Sequence, residues 1–469
     1  MSTQLYRPTP RYDLLRTPFI GRLLRWRWGR LVGQLFFLCV ALLMLYDGFT
    51  GPRLAPTNLA TVLTWVHYRG FVMFALLLAG NLFCMNCPFT LPRTLARRIS
   101  GRSQRRWPRW LRNKWTAVTI LVIYFWLYEW LDLWASPWLT AWIIVAYFLA
   151  SFILEVFFAE SPFCKYVCPL GTFNFVSSTV SPLHITVRDQ NTCRTCVGKE
   201  CVNGNGDVLG CGTELFAPQM KSNLDCVLCL DCVRACPYEN VALAWRNPLA
   251  EVRRPDAWPR RWDVNVLVWV FAFISLSNAF GMVPPVYQLE TWLAAVLHTR
   301  SEGLVLAVIF GVLNVLLPVG LSLGAAWVSR RLAGRREPLR VTLSRYTPAL
   351  LPLTFAIWFA HYAGFHFLTS ALAIVPVLQN FLLDVGIHVF GQPNWALGPV
   401  LPANWMDPLE LVVLLVGVAA SLDVLNGRSR AAADKFAAQL PWLLLLLLLA
   451  VAAMVVMYLP MEMRGTVFG

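Results

Sequence analysis

The chain has 469 residues, of which 57% are hydrophobic and only 14% are charged. This balance excludes a string of ordinary soluble domains and predicts a membrane protein. A net charge of +15 could indicate a nucleic-acid surface, and thirteen cysteines could indicate a disulfide scaffold, but the positions of these residues argue against both.

Nine apolar stretches are long enough to cross about 30 Å of hydrocarbon. They lie near 31–47, 59–83, 116–135, 138–159, 264–284, 303–328, 346–372, 408–425 and 439–459. The stretch 373–390 is also apolar, but it contains Pro376, Asp384 and His388 and is predicted to be re-entrant or interfacial on the outer side. The fold class is therefore an all-α polytopic membrane protein with about nine transmembrane helices.

Basic residues predict the orientation of these helices. Five segments that a nine-span chain with an inside N-terminus places in the cytoplasm hold 36 of the 40 Lys and Arg residues. These segments are 1–30, 84–115, 160–263, 329–345 and 426–438. Because basic residues near helix ends are retained inside, the N-terminus is predicted to be cytoplasmic and the C-terminus periplasmic. The positive charge is then an orientation signal, and no nucleic-acid partner is expected.

The spans and the charges predict four regions along the chain. A basic cytoplasmic N-terminus covers 1–30, and a four-helix membrane domain covers 31–159. A cytoplasmic domain, in which polar residues, Gly and Cys concentrate, covers 160–263. A five-helix membrane domain covers 264–469.

The cytoplasmic region carries eight cysteines in a pattern typical of iron–sulfur proteins. The run Cys226-x2-Cys229-x2-Cys232-x3-Cys236-Pro237 has the spacing with which bacterial ferredoxins hold clusters, three thiolates on one cluster and the fourth on another. The expected ligands of one [4Fe-4S] cluster, the first quartet, are Cys211, Cys226, Cys229 and Cys232. Those of the other, the second quartet, are Cys193, Cys196, Cys201 and Cys236. The region is thus predicted to be a ferredoxin-like α+β insert with two [4Fe-4S] clusters.

Two other kinds of cysteine site fit these eight residues less well. Zinc sites also use Cys-x2-Cys, but they pair two doublets rather than run three cysteines at this spacing. Disulfides are disfavoured because the cytoplasm is reducing.

Four more cysteines follow two predicted spans. Cys84-x2-Cys87-Pro88 follows the second span and Cys164-x3-Cys168-Pro169 follows the fourth. Both spans run inward, so both pairs emerge at the inner interface, and we call these four residues the interfacial quartet. They are candidates for a third cluster, for a soft metal such as Cu(I), or for a dithiol relay; two helix-ending Cys-Pro turns are the alternative. Cys39 lies alone in the first span and is expected to be a small core residue.

Histidines concentrate in the predicted outer half of the membrane. His67 and His361 are expected at a similar depth, where two imidazoles could bind a haem or a metal; hydrogen-bonded core histidines are the alternative. His361 and His366 are five residues apart and point about 140° away from each other on an ideal α-helix, so they are not expected to pair.

Ionisable residues also fall in the outer part of the first four spans, where they are costly. An ion pair between Arg69 and Glu129 is the simplest account of them. A quinol pocket with Trp126, Trp130 and Trp134 as walls is the alternative.

The two Cys-x2–3-Cys-Pro motifs, followed by a double-cluster cysteine pattern, resemble membrane polyferredoxins of the NapH and NosR type. The resemblance includes the stretch Leu131 to Asn174 and covers about residues 60–245, or roughly 40% of the chain. The additional membrane half and the runs 193–201 and 211–216 are most similar to the FtrD-like polyferredoxin subunit of bacterial ferrous-iron uptake systems.

This resemblance implies a multi-pass protein of the bacterial inner membrane that transfers electrons as a component of an oxidoreductase system. The implied partners are other subunits of a membrane redox or iron-uptake system, a periplasmic cupredoxin-like or metal-binding protein, a quinone and the membrane lipid. A cysteine-dependent copper reductase or assembly factor is one alternative function. A metal-ion transporter with regulatory clusters is the other.

Overall fold

A computed structural model of the chain describes residues 12–92, 105–159, 161–206 and 208–461. Eight helices in these ranges are long and apolar enough to cross a membrane. They are Gly29–Thr50, Leu59–Leu78, Pro137–Phe157, Trp262–Phe280, Glu302–Leu332, Leu339–Leu368, Met406–Ala431 and Phe436–Tyr458. The protein is therefore predominantly helical, and its long apolar helices suit a polytopic membrane protein, as the apolar stretches predict.

The predicted span at 116–135 corresponds to a shorter apolar helix, Trp115–Trp130, of 16 residues. At 1.5 Å per residue it is about 24 Å long, less than the usual hydrocarbon thickness. The chain leaves the helix because Asp132 takes a left-handed backbone conformation, with φ of 42°, before Pro137 begins the next helix. The stretch predicted to be re-entrant contains the 11-residue helix Ile374–Asp384.

The chain divides into two compact units. The first comprises Met1–Ala41, Ala75–Arg112 and Ala146–Glu251, and the second comprises Leu42–Phe74, Asn113–Val145 and Val252–Gly469. The first unit therefore combines most of the predicted cytoplasmic insert with parts of the first, second and fourth predicted spans.

The first unit contains a two-stranded antiparallel sheet. Strand β1, Leu183–Val187, pairs with strand β2, Val241–Trp245, so that Ile185 faces Leu243. Apolar residues of both strands share one core with Cys201, Cys226 and Cys232. Short helices contribute to this core: Pro18–Arg25, Leu82–Met85, Gln190–Thr195, Glu200–Asn203 and Asp231–Ala235. The cysteine motifs thus lie in short helices and loops packed on a small sheet.

The second unit is built from packed apolar helices. Helix Trp262–Phe280 is buried along most of its length, and helix Pro284–Val296 follows it after a short turn that ends at Val283. Helix Met406–Ala431 approaches its neighbour closely at Gly417, where an added Cβ would overlap the Cβ of Ala356.

Four helical segments of the described chain are π-helical, with the i→i+5 hydrogen bonding that is often found at functional sites. They are Val62–Tyr68, Phe163–Val167, Val312–Leu316 and Ala360–Leu368. Three of them contain predicted site residues: His67 lies in the first, Cys164 in the second and His361 in the fourth.

Candidate metal centres

The thiols of the first quartet converge. Burial raises the pKa of the Cys232 thiol well above its usual range, and the three other thiols of the quartet lie close enough to raise it further. Burial likewise raises the pKa of Cys226 to about 12, with Cys211 again contributing. The backbone N–H of Leu215 donates to the Cys211 sulfur at 3.3 Å. The structure therefore brings together the four residues that the spacing predicts, although Cys211 lies far from the other three in sequence.

The second quartet also converges. Burial raises the pKa of Cys201 to about 11, and the other three thiols of the quartet contribute to the same shift. Asn240 joins two of its members: its side-chain amide donates to the Cys193 sulfur at 3.1 Å and its backbone N–H to the Cys236 sulfur at 3.4 Å. Cys236 thus belongs spatially with the Cys193 motif rather than with its neighbours in sequence.

The loop that carries Cys226 and Cys229 has an unusual backbone. Asp225, Leu228 and Leu230 adopt positive φ angles of 68°, 53° and 60°, respectively. For residues other than glycine this conformation costs about 1–2 kcal/mol each. Both leucine side chains are buried in the core of the first unit, which holds the loop in place.

Two basic side chains share one carboxylate beside this loop. Asp231 accepts hydrogen bonds from Arg30 and, at 2.8 Å, from Arg234. Arg234 also donates to the backbone carbonyl of Cys229 at 3.1 Å. Burial and Asp231 raise the pKa of the Cys229 thiol, whereas Arg30 lowers it.

The four thiols of the interfacial quartet come together as well. Burial raises the pKa of Cys164 well above its usual range, and the other three thiols of the quartet contribute. Hydrogen-bond donors face two of the sulfurs: the Asn174 amide reaches Cys84 at 3.2 Å, and the Gly171 N–H reaches Cys168 at 3.1 Å. A Cβ at Gly171 would lie 2.9 Å from the carbonyl oxygen of Cys164, so a glycine permits this close approach.

The interfacial quartet neighbours the first quartet. Cys84, Cys164 and Cys229 pack into one apolar cluster, together with Phe175 and Val227. The connection extends to the backbone, because the Asn81 side chain donates to the carbonyl oxygen of Cys226 at 3.2 Å.

The second quartet lies nearest to solvent within the first unit. Val197, inside the Cys193–Cys201 run, is 93% exposed, and Tyr238, just after Cys236, is 56% exposed. In the first quartet, by contrast, Cys226, Cys229 and Cys232 are all buried. Cys39 takes part in none of the three quartets, and the expectation that it is a core residue is wrong, because its side chain is exposed on its helix.

Within the described ranges, no group of three or more His, Cys, Asp or Glu residues has a geometry that could hold a metal ion. A single zinc ion, with bonds of about 2.3 Å, requires thiolates about 3.8 Å apart. A [4Fe-4S] cluster places iron and sulfide between its thiolates and so needs a wider spacing.

The histidines are arranged differently from the sequence prediction. The ring nitrogens of His67 face two backbone carbonyls, of Val62 at 3.1 Å and of Ala371 at 3.0 Å. His361 instead lies beside His366, with 4.7 Å between ring centroids. The expectation that these two histidines point apart is wrong because their segment, Ala360–Leu368, is a π-helix, whose wider turn brings residues five apart to the same side.

A cationic side chain accompanies this histidine pair. The Arg69 guanidinium lies over the rings of Tyr362, Trp65 and Tyr128 at 4.4, 4.8 and 5.0 Å, whereas the Glu129 carboxylate accepts a hydrogen bond from Asn278 at 3.3 Å. The predicted Arg69–Glu129 ion pair is therefore replaced by an aromatic cage.

Several polar atoms at this position are buried and have no hydrogen-bond partner among the described residues. They are Nη1 of Arg69, both ring nitrogens of His361, and Nε2 of His366. Arg69 interacts electrostatically with both imidazoles. Because a nearby guanidinium opposes a bound cation, these atoms suit an oxygen-bearing acceptor better than a metal ion.

The sequence did not single out four residues that accompany these centres: Gly171, Asn174 and Asn240, which contact thiols, and Arg30, which pairs with Asp231. Asn174 ends the stretch on which the family resemblance rests, so that resemblance was the available signal. Comparisons with protein-family profiles, with characterised proteins and with solved structures find no match to the chain.

Proposed function

We propose that the chain is an integral membrane iron–sulfur electron-transfer protein. The first and second quartets would each hold a [4Fe-4S] cluster in a ferredoxin-like insert, and the interfacial quartet would hold a third cluster or a soft metal. When bound, such clusters supply one-electron transfer. The observation that carries the proposal is the convergence of twelve of the thirteen cysteines into three quartets.

The surroundings of the thiols fit iron–sulfur clusters. Donors that face the sulfurs stabilise thiolate ligands and adjust their reduction potential. Asn240 provides such donors in the second quartet, Leu215 in the first and Asn174 in the interfacial quartet. Burial makes an unligated thiolate costly, as the raised pKa values show, so these positions favour a ligand that neutralises negative charge.

The packing supports an order for the three sites. Cys226 and Cys232 share an apolar core with Cys201 and Cys193 of the second quartet. Cys229 shares another with the interfacial quartet. The first quartet therefore touches both of the others. The apolar side chains around it exclude water, and the second quartet remains accessible to a soluble partner.

We further propose that the protein exchanges electrons with a quinone or a periplasmic redox partner in the bacterial inner membrane. By its resemblance to ferrous-iron uptake polyferredoxins, its role would be to support iron or copper uptake alongside other subunits and a cupredoxin-like or metal-binding protein. The unpartnered donors of Arg69, His361 and His366 support the quinone, whose carbonyl oxygens accept hydrogen bonds.

The test is anaerobic purification of the full chain, followed by iron and acid-labile sulfide analysis and EPR spectroscopy. Two clusters predict about eight iron and eight sulfide per chain, and three predict about twelve of each. A preparation that contains zinc and lacks labile sulfide would refute the proposal.

A copper reductase or assembly factor is the second candidate, because four thiols meet at the interfacial quartet. That function predicts that Cys164→Ser abolishes Cu(II) reduction while the two other clusters keep their spectra. Metal uptake by vesicles that contain this protein alone would instead identify a transporter.

A further inference from the structure

A cavity of about 300 Å³ opens in the first unit beside Cys236. Its walls carry five arginines and only two carboxylates, and the charged residues among them are Arg25, Arg27, Arg30, Arg188, Arg234, Asp231 and Glu239. The cavity is therefore positively charged on balance, which favours an anionic occupant.

Two half-buried arginines of this cavity are incompletely partnered. Arg30 and Arg234 share the single carboxylate of Asp231. The Nε atom of each is buried without a hydrogen-bond partner among the described residues. An unpaired buried N–H is costly. A ligand with several acceptor oxygens would satisfy both guanidinium groups, and phosphate matches this planar donor geometry.

The segment that carries Arg25 and Arg27 has the features of a membrane-surface helix. Helix Pro18–Arg25 exposes Phe19 by 81% and Leu23 by 56%, and the spanning helix Gly29–Thr50 begins four residues later. Apolar side chains on one face of a basic helix are typical of helices that lie in the interface between lipid and water.

Two tryptophans extend this interface. Trp26 and Trp28, between the two helices, are also exposed, as expected for aromatic residues at headgroup level. Arg25, Arg27 and Arg30 are therefore expected at the level of lipid headgroups.

We propose that this cavity binds the phosphodiester headgroup of an anionic phospholipid. Its volume is at the lower end of the range for small-molecule sites, which suits a headgroup and is too small for a protein partner. A soluble phosphate ester has the same chemistry, but the exposed apolar helix and tryptophans at the cavity favour the lipid. The proposal does not depend on the clusters, although an anion bound beside Cys236 would make reduction at the second quartet less favourable.

The test uses the full-length protein, delipidated in neutral detergent and titrated with phosphatidylglycerol or phosphatidylcholine under native mass spectrometry. We expect phosphatidylglycerol to bind about tenfold more tightly or better. The double substitution Arg25→Gln/Arg27→Gln should weaken its binding by about tenfold or more, the effect of losing one charge-assisted hydrogen bond. Both arginines are at least partly exposed, and Arg27→Gln alone, which keeps the Arg25–Glu239 pair, guards against loss of folding.

The matched control is Arg331→Gln/Arg430→Gln, which removes two exposed arginines from the last turns of other predicted spans. It should leave phosphatidylglycerol binding unchanged. Equal affinity for the two lipids, or an equal loss in the control, would overturn the proposal. Displacement of phosphatidylglycerol by glycerol 3-phosphate at similar concentration would also overturn it, because the ligand would then be a soluble phosphate ester. Iron content is measured on the same samples, so loss of clusters and loss of lipid binding are distinguished.

Discussion

Asn174 offers a direct test of the interfacial quartet. Its side chain is fully buried and donates one hydrogen bond to the Cys84 sulfur at 3.2 Å. Its amide oxygen has no hydrogen-bond partner among the described residues. Asn174→Leu therefore removes the N–H···S bond and one unsatisfied oxygen while nearly conserving volume.

The size of the effect follows from that single bond. A hydrogen bond to a charged acceptor contributes about 1.5–3 kcal/mol, and it is stronger in the reduced state, where the ligand sulfurs carry more negative charge. If half of a contribution of about 1.5 kcal/mol depends on the redox state, the midpoint potential falls by about 30 mV. The conversion uses about 59 mV for a tenfold change in the equilibrium constant of a one-electron reduction. The folded protein should lose little stability, because the variant also removes an unsatisfied buried oxygen.

The assay is an EPR-monitored redox titration of the anaerobically purified protein. Asn86→Leu is the matched control: Asn86 precedes Cys87, but its amide donates to the carbonyl oxygen of Leu82 at 3.2 Å rather than to a sulfur. We expect one signal to shift to lower potential in Asn174→Leu and none to shift in Asn86→Leu. A shift to higher potential, an equal shift in the control, or a wild-type protein with only two clusters would refute the reasoning.

Paired substitutions test the cysteine assignment, the helix packing and the histidine pair. Cys232→Ser should remove about four of the irons per chain, whereas Cys39→Ser should leave the iron content unchanged; equal losses would contradict the quartets. Gly417→Ala should lower the unfolding temperature in detergent, because overpacking costs about 1–3 kcal/mol. Gly320→Ala should not lower it, because an added Cβ there meets nothing within 4 Å. Similar melting curves for the two variants would contradict the close helix approach. His366→Leu should reduce quinone-dependent oxidation of the clusters at least tenfold without changing their EPR spectra, and unchanged rates would exclude this position as the quinone site.

Sequence reasoning could predict the cysteine quartets and the membrane helices for physical reasons. Thiolate ligands must approach one cluster closely, so their spacing along the chain is constrained. The exchange of Cys236 into the second quartet follows from the same spacing. Membrane helices require long apolar runs, and eight of the nine predicted spans correspond to helices of full length. The remaining predicted span, 116–135, corresponds to a shorter helix because the chain turns at Asp132.

The histidine site could not be predicted in the same way. An ideal α-helix would turn His361 and His366 away from each other, but one π-helical segment changes which residues face each other. The position of Arg69 was missed because its partners are aromatic rings, and a search for an opposite charge does not detect them. Such contacts depend on tertiary packing, which the order of residues in one span does not specify.

For the proposed electron transfer, the attachment of the cysteine-rich insert decides between a mobile carrier and a fixed relay. In the first unit the Lys165 ammonium donates to the carbonyl of Thr213 at 3.0 Å, beside Cys211. The Ser181 hydroxyl donates to the carbonyl of Leu76 at 2.6 Å, within the span that leads to Cys84.

These bonds, and the one from Asn81 to Cys226, join both interfacial cysteine motifs to the insert. A ferredoxin that shuttled between partners would have to break them at every cycle. The contacts therefore favour a relay in which the three quartets keep constant separations, and electron transfer between them would be independent of viscosity. Only the exchange of electrons with a soluble partner at the exposed second quartet should slow as viscosity rises. If transfer between the quartets also slowed with viscosity, the insert would have to undock during the cycle.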